Sequence, residues 1–251
     1  MSDLVLDQLA VTVAGKTLLH PLSTSLAAGR IIAVVGANGA GKTTLFRAIA
    51  ALLPIKGAAR FGDRDLAALH PLDRARTVAY LPQSPENAWP MPVRAMVSLG
   101  RYAFGDELGS ISGAQAVEEA LNGCGIAHLA DRPVDRLSGG EAAMAALARV
   151  LVTECPVLLL DEPAAALDIG RQYQLLEHLA ALASTGRTLL IILHDLSLVS
   201  QFADRILWLE KGRLVADTPN SRDAIDAHAA RLLGRGPAWA NDKAGLYFSR
   251  I

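Results

Sequence analysis

Cysteine is scarce in this 251-residue sequence. Cys124 and Cys155 are too few for a disulfide framework and lack the spacing of a metal site, so a reduced cytosolic setting without a catalytic thiol is expected. Charge of one sign is lacking as well. With 24 basic against 25 acidic residues, no net field draws the chain to nucleic acid or to a membrane surface, and no nucleic-acid partner is expected. The longest apolar runs, such as Leu189 to Leu193, fall far short of the ~20 residues that a membrane helix needs. Any membrane role is therefore expected to need another chain. Met1-Ser2-Asp3-Leu4-Val5 has neither the basic flank nor the apolar core of an export or transit signal. Internal repeats and low-complexity runs are also absent from the sequence. Its length allows one large core with an inserted subdomain and no covalent staples.

What is present centres on Gly36-Ala37-Asn38-Gly39-Ala40-Gly41-Lys42-Thr43, directly after the apolar run Ile31 to Val35. Gly36 and Gly41, with four residues between them and Lys42-Thr43 after, set between a strand and a helix, fit the phosphate-binding loop of nucleotide hydrolases. Glycine lets backbone N–H groups converge on an anion without a Cβ in the way. Lys42 supplies a charge to the β and γ phosphates, Thr43 a hydroxyl to Mg2+, and the next helix, through Thr44, aims its positive end at the same place. The ligand expected is Mg-ATP or Mg-GTP.

Along the chain, Leu4 to Leu26 alternates in short pieces about Ala14-Gly15-Lys16 and reads as antiparallel strands. A helix follows the loop and ends before Pro54, then strands are expected at Gly57 to Phe61 and Thr77 to Leu81. From Ser84 the character changes. Val93 to Phe104 and Gln115 to Gly123 read as helices separated by the Gly/Ser stretch from Gly105 to Gly113, a helical insertion over about 84–140. An Ala-rich helix to about Glu154, the apolar strand Val157 to Leu160, a helix from about Gly170 to Ala183 and the strand Thr188 to Leu193 come next. Ile206 to Leu209 and Arg213 to Val215 flank Lys211-Gly212 as a hairpin that returns to antiparallel sheet. The tail, 218–251, holds one expected helix, Ala224 to Leu233, and a less ordered end around 234–237. The fold class expected is α/β: a nucleotide-hydrolase core with a parallel sheet, an antiparallel β subdomain and an inserted helical subdomain, over 1–217.

Four apolar strands stop at polar residues: the 36–43 loop, Gln83, Asp161-Glu162 and His194. Ligands bind outside the carboxyl ends of strands in a parallel α/β sheet, so these groups should meet at one rim. Asp161, held by the strand behind it, is a candidate partner of Mg2+. Glu162, one residue further, is placed to accept a proton from a water attacking the γ phosphate. Gln83 has an amide for Mg2+ or that water, although a Gln after Pro is also an ordinary loop residue. A lone His at a strand end is commonly structural; the shared rim makes His194 a candidate γ-phosphate sensor. Ser138-Gly139-Gly140-Glu141 reads as a capping box, Ser138 with Glu141, and also as a second helix start able to bind an anion. A second phosphate-binding element implies a second ligand or a second protomer.

With Gly36 to Thr43, Gln83, Leu137 to Glu141, Leu160-Asp161-Glu162-Pro163, Leu167-Asp168 and His194 in this order, the chain resembles the ATP-binding subunits of ATP-binding cassette transporters, over about Leu4 to Asp217. Within them, Tyr80-Leu81-Pro82-Gln83, Leu99-Gly100-Arg101, His194-Asp195-Leu196 and Ala203-Asp204-Arg205 look most like the importers of ferric siderophores, haem and cobalamin.

The resemblance implies ATP and Mg2+ as ligands, with Thr43, Gln83 and Asp161 at the metal. It also implies a head-to-tail homodimer in which Ser138, Gly139 and Gly140 of one copy bind the γ phosphate held by the other. Asp168 would then lie at the shared interface, with Gln83 linking the nucleotide to the helical insertion. Its further partners would be an integral membrane permease and, through it, a solute-binding protein, with the chain peripheral at the cytoplasmic face. The alternatives are a regulatory nucleotide-binding module with weak turnover and a soluble cassette ATPase unconnected with transport. Three features depart from the pattern: Val13 stands where an adenine-stacking aromatic is usual, Ala142-Ala143-Met144 replaces polar and basic residues, and Ala164-Ala165-Ala166 is unusually small.

Overall fold

The computed structural model describes residues 2–84, 90–105, 111–233, 239–242 and 245–248; for 111–112 and beyond 230 it describes the backbone alone. Strands β1 (Leu4–Val13) and β2 (Lys16–Leu26) form a hairpin, followed by β3 (Ile31–Val35), α1 (Lys42–Ile49), β4 (Ile55–Phe61) and the short β5 (Arg64–Asp65). Next come α2 (Pro71–Ala75), β6 (Val78–Leu81), α3 (Val93–Ser98), a 3-10 turn over Leu99–Phe104, α4 (Ile111–Gly123) and α5 (Gly139–Leu151). The rest is β7 (Val157–Asp161), α6 (Ile169–Ser184), β8 (Thr188–Ile192), α7 (Leu196–Phe202), β9 (Arg205–Glu210), β10 (Arg213–Pro219), α8 (Arg222–Leu233), β11 (Trp239–Asp242) and β12 (Gly245–Phe248).

The central sheet runs β10-β9-β3-β8-β7-β6, with every pair from β9 to β6 parallel. Every residue of β3, β7 and β8 is buried. Strands covered on both faces need apolar residues at every position, and these three have them but for Thr188 and Asp161. Alternate residues serve two cores. Ile32, Val34, Leu159 and Leu190 pack on one side with Leu45 and Phe46 of α1 and with the antiparallel sheet β2-β1-β4-β5. Ala33, Val35, Leu158, Leu160 and Ile191 pack on the other with the helices around α5 and α6. Burying each Leu or Ile contributes about 1.5–3 kcal/mol, so both faces hold the strand ends rigid.

Several elements differ from the sequence expectation. The β9–β10 hairpin pairs antiparallel across its turn as expected, but its other edge is parallel: β9 pairs with β3 and extends the central sheet. A hairpin signal specifies only the pairing across its own turn, so it carried no information on the other edge of β9. Helices α2 and α7, of five and seven residues, are too short to show a helical period. Strands β11 and β12 pair antiparallel in the tail, where only a helix was expected. Gly113 lies within α4 and so does not divide two helices. Much of the 105–113 stretch, and the end around 234–237, lie outside the described residues.

Candidate functional site

The parallel register sets the geometry. Val34 lies beside Ile192, Ile192 beside Asp161, and Leu160 beside Leu81, so β3, β8, β7 and β6 end at one rim. From β3 the chain turns through 36–41 into α1, whose cap is Gly41 at φ 100°, with no side-chain cap and no acidic residue in the first turn. The backbone N–H groups of Gly41, Lys42 and Thr43 find no backbone acceptor among the described residues. An uncapped helix start of this kind can accept an anion.

Lys42 is buried, and its Nζ donates to the carbonyls of Gly36 (2.8 Å) and Ala37 (3.1 Å). Burial pushes its pKa down, while the carboxylates of Glu162 and Asp161 act to raise it. The ammonium is therefore held inside the loop by carbonyls that a phosphate could replace. The Thr43 hydroxyl donates to Asp161 Oδ2 at 2.7 Å, joining residues 118 apart in sequence. Asp161 is buried, which raises its pKa against the opposing bond from Thr43, and its Oδ1 has no hydrogen-bond partner among the described residues.

Glu162 and His194 meet with Oε1 and Nε2 2.7 Å apart. Glu162 has φ 54°, a left-handed conformation rare for a residue other than Gly, Asn or Asp. Such backbone costs of order 1–3 kcal/mol and persists where the surrounding fold overdetermines it. Here the buried β7 precedes it and the buried Pro163 follows.

The loop itself is held from outside. The Gly212 N–H donates to Ala40 O at 2.9 Å, and Gly212 O accepts from His20 N at 2.7 Å, so the β9–β10 turn is bonded to both the loop and β2. A Cβ on Gly212, at φ +75°, would lie 2.5 Å from Leu18 O, and one on Gly36 would lie 2.3 Å from Leu209 O. Sequence reading found Lys211-Gly212 only as a turn. The signal for its second role lies in the pairing of β9 with β3, which no local pattern reports.

The structure thus brings together the 36–44 segment, Asp161, Glu162 and His194. Ala37, Asn38 and Gly39 are exposed on the loop, and Thr44 is half-buried on α1. Gln83 is exposed two residues past β6, and its side chain bonds to nothing among the described residues. Ser138-Gly139-Gly140 stands apart, with no hydrogen bond to the loop among the described residues. Ser138 caps α5 in the expected box: Glu141 N donates to Ser138 Oγ (3.4 Å), and Ser138 N donates to Glu141 Oε2 (2.7 Å). Asp168 caps α6 by accepting from Arg171 N at 3.0 Å. Val13 is 41% exposed at the end of β1 and has no aromatic face to offer a base.

A loop, lysine and strand-end carboxylate in this arrangement offer the groups that a nucleotide's phosphates require, on an α/β sheet. The ABC transporter family model matches residues 19–165, over half of the chain, and the chain belongs to that family as an ATP-binding ATPase. It is 38% identical over 229 residues to a hemin import ATP-binding protein of Rhodococcus jostii, covering 91% of this chain and 78% of that protein. It is 36% identical over 240 residues to a cobalamin import ATP-binding protein of Halobacterium salinarum, covering 92% of this chain and 60% of that one. Among solved structures it is similar to cbiO1 of Clostridium perfringens, part of the transporter complex cbiONQ, with a TM-score of 0.77 at 27% identity, covering 91% and 92% of the two chains. No helix among the described residues is long and apolar enough to cross a membrane. An ATP-binding part of an ABC transporter works with a membrane permease.

Proposed function

We propose that this chain is the ATP-hydrolysing subunit that powers import of haem, cobalamin or a related iron chelate, working at the cytoplasmic face on a permease fed by a solute-binding protein. The names of the hemin and cobalamin relatives support the solute class, and the rim geometry supports the chemistry. The observation that carries the chemistry is the 2.7 Å Glu162–His194 pair beside the 2.7 Å Thr43–Asp161 pair.

In this reading the 36–44 segment wraps the phosphates with backbone N–H groups, and Lys42 leaves the Gly36 and Ala37 carbonyls for the β and γ phosphates. The donor set fits Mg2+: a hydroxyl and a buried carboxylate with a free oxygen are hard ligands, and Mg2+ takes one or two such groups plus phosphate oxygens. Thr43 and Asp161 would hold the ion, Gln83 would reach it from the rim, and when bound it neutralises charge on the phosphates. Glu162 accepts the proton of the attacking water, while His194 holds that carboxylate and senses the γ phosphate.

The 1–217 segment acts as the ATPase, with the 84–140 insertion facing the permease and 218–251 as an appended tail. Ser138, Gly139 and Gly140 act on the ATP of a second copy, with Asp168 at the junction. Two features support that pairing. A Cβ on Gly139 would meet nothing within 4 Å, so nothing among the described residues calls for glycine there. Ile169, beside Asp168, is 74% exposed.

Turnover tests the reading. Glu162→Gln should lose roughly 10²–10⁴ in ATP hydrolysis while still binding ATP; hydrolysis at the parental rate would remove Glu162 from the role of base. With the permease in vesicles, hydrolysis should rise on loading hemin or cobalamin with the binding protein, and indifference to both solutes would overturn the solute class.

A further inference from the structure

Pro163, three alanines and Leu167 join Glu162 to Asp168, so the segment between these two carboxylates has no polar side chain of its own. Two turn bonds fold its backbone, Ala165 N to Glu162 O (3.2 Å) and Leu167 N to Ala164 O (3.1 Å). Ala164 and Leu167 are buried, while Ala165 and Ala166 between them are exposed. Buried carbonyls call for donors, and alanine side chains supply none. The donor comes from α6. Gln172 is half-buried one turn past the Asp168 cap, and its Nε2 donates to Ala164 O (3.1 Å) and to Leu167 O (3.1 Å). An amide nitrogen carries two hydrogens, so one side chain serves both carbonyls.

The two anchored carbonyls lie close to both functional ends of the segment. Between Ala164 and Glu162 stands only Pro163, whose ring fixes φ, so little slack separates the anchor from the carboxylate that meets His194. Leu167 adjoins Asp168, and the segment also lies against the start of α5. A Cβ on Gly140 would be 3.4 Å from Ala166 O and 3.7 Å from Leu167 Cδ2. The cap that Asp168 makes with Arg171 N secures the start of α6, but a carboxylate has no hydrogen for either carbonyl.

We propose that Gln172 is a positioning residue for ATP hydrolysis: its carboxamide locks the 163–168 segment, so that Glu162 stays in place at the chain's own phosphate site while Asp168 and Gly140 are held ready for a second copy. Gln172 supplies from α6 the donors that the three alanines lack. The inference rests on the readings of Glu162 as base and of Asp168 and the α5 start as acting across copies. A misplacement of about 1 Å at a reacting group costs up to ~10² in rate. Loss of the carboxamide should therefore slow the chemical step and spare the grip of the 36–44 segment on the phosphates.

The test is Gln172→Met in the whole chain, which keeps the length of the side chain and its apolar stem and removes both donors. At saturating Mg-ATP it should lower turnover by about ten- to a hundredfold, with the ATP affinity of the single chain unchanged. Turnover equal to the parent's overturns the inference, and so does an equal fall in turnover and in affinity, which would make Gln172 a packing residue. Gln172→Glu has the same shape as the parent and answers the question should Gln172→Met not fold. Its carboxylate has nothing to donate to two carbonyl oxygens, whereas its protonated form can donate to one. Facing those oxygens also favours the protonated form. The turnover of Gln172→Glu relative to the parent should be low at about pH 8 and rise severalfold by about pH 5.5; a ratio that stays flat overturns the inference.

Glu162→Gln run alongside separates the two levels. If it hydrolyses ATP at the parental rate, the reading of the base fails and takes this inference with it. If it loses turnover while Gln172→Met does not, only the role of Gln172 is lost.

Discussion

Helices α1 and α5 both begin in glycine-rich sequence, and their first turns are built in opposite ways. At α1 the cap is Gly41, no side chain among the described residues bonds the free N–H groups, and the first residue is Lys42. At α5 the cap is Ser138, bonded both ways with Glu141, whose Oε1 lies 3.7 Å from Arg132 Nη1. The first start leaves its dipole open to an incoming anion. The second already carries an anion of its own, a carboxylate worth a few tenths to 1 kcal/mol at a helix start. A phosphate reaching α5 therefore competes with Glu141, whereas one reaching α1 displaces only the Lys42–carbonyl bonds. The difference divides the proposed ATP site into a half preformed within the chain and a half that a ligand must reorganise.

Breaking the open start should have the largest effect. Lys42→Ala removes the charge on the β and γ phosphates and should lower ATP turnover by at least about 10², measured as phosphate release. A fall of less than tenfold would mean that the loop amides alone suffice. Next is Gly212→Ala, which places a Cβ 2.5 Å from Leu18 O at φ +75° and must shift the turn that bonds Ala40. ATP affinity should fall by about tenfold, the factor expected from 1–2 kcal/mol of strain, measured by titration. Unchanged affinity would show that the loop holds its shape without the hairpin. Breaking the capped start is milder: Ser138→Ala should cost about 1 kcal/mol of stability, or 2–4 °C in Tm for a chain of this size, with ATP binding to the single chain intact.

The smallest effects sharpen the comparison through pH. Burial raises the pKa of Asp161 above its ordinary 3.8, so the folded chain keeps that proton where the unfolded chain has lost it. The associated stability is present below pH 3.8 and is lost as pH rises through the raised value. The Ser138 backbone N–H, then the Ser138 hydroxyl, lower the pKa of Glu141 below 4.5. Its stability is present above pH 4.5 and is lost as pH falls through the lowered value. Without nucleotide, Asp161→Asn should then be more stable than the parent at neutral pH, and Glu141→Gln less stable. Both gaps should close in acid, and Tm against pH checks the opposite signs.

The two starts were unequally legible in sequence. Both motifs could be read, as could the capping box, because Ser138 and Glu141 are three residues apart and the box is local. The meeting of Thr43 with Asp161 across 118 residues followed from two buried apolar runs ending at polar residues, since parallel strands share a rim. What could not be read depends on lateral order within the sheet: β9 beside β3, hence Gly212 on Ala40. Hydrophobic runs report that a strand is buried but carry no label for its neighbour. The resting state of α5 was legible too, since the box that caps it lies within four consecutive residues.

The central claim, that α1 binds phosphate within the chain while α5 acts only on a second copy, is tested most directly by Gly139→Val placed in Glu162→Gln. A Cβ on Gly139 meets nothing within 4 Å among the described residues, so the added side chain should leave Tm and ATP binding close to those of Glu162→Gln alone. Sedimentation velocity with Mg-ATP should find Glu162→Gln as a dimer and the double variant as a monomer that still binds ATP. A double variant that dimerises with ATP as readily as Glu162→Gln would contradict the account.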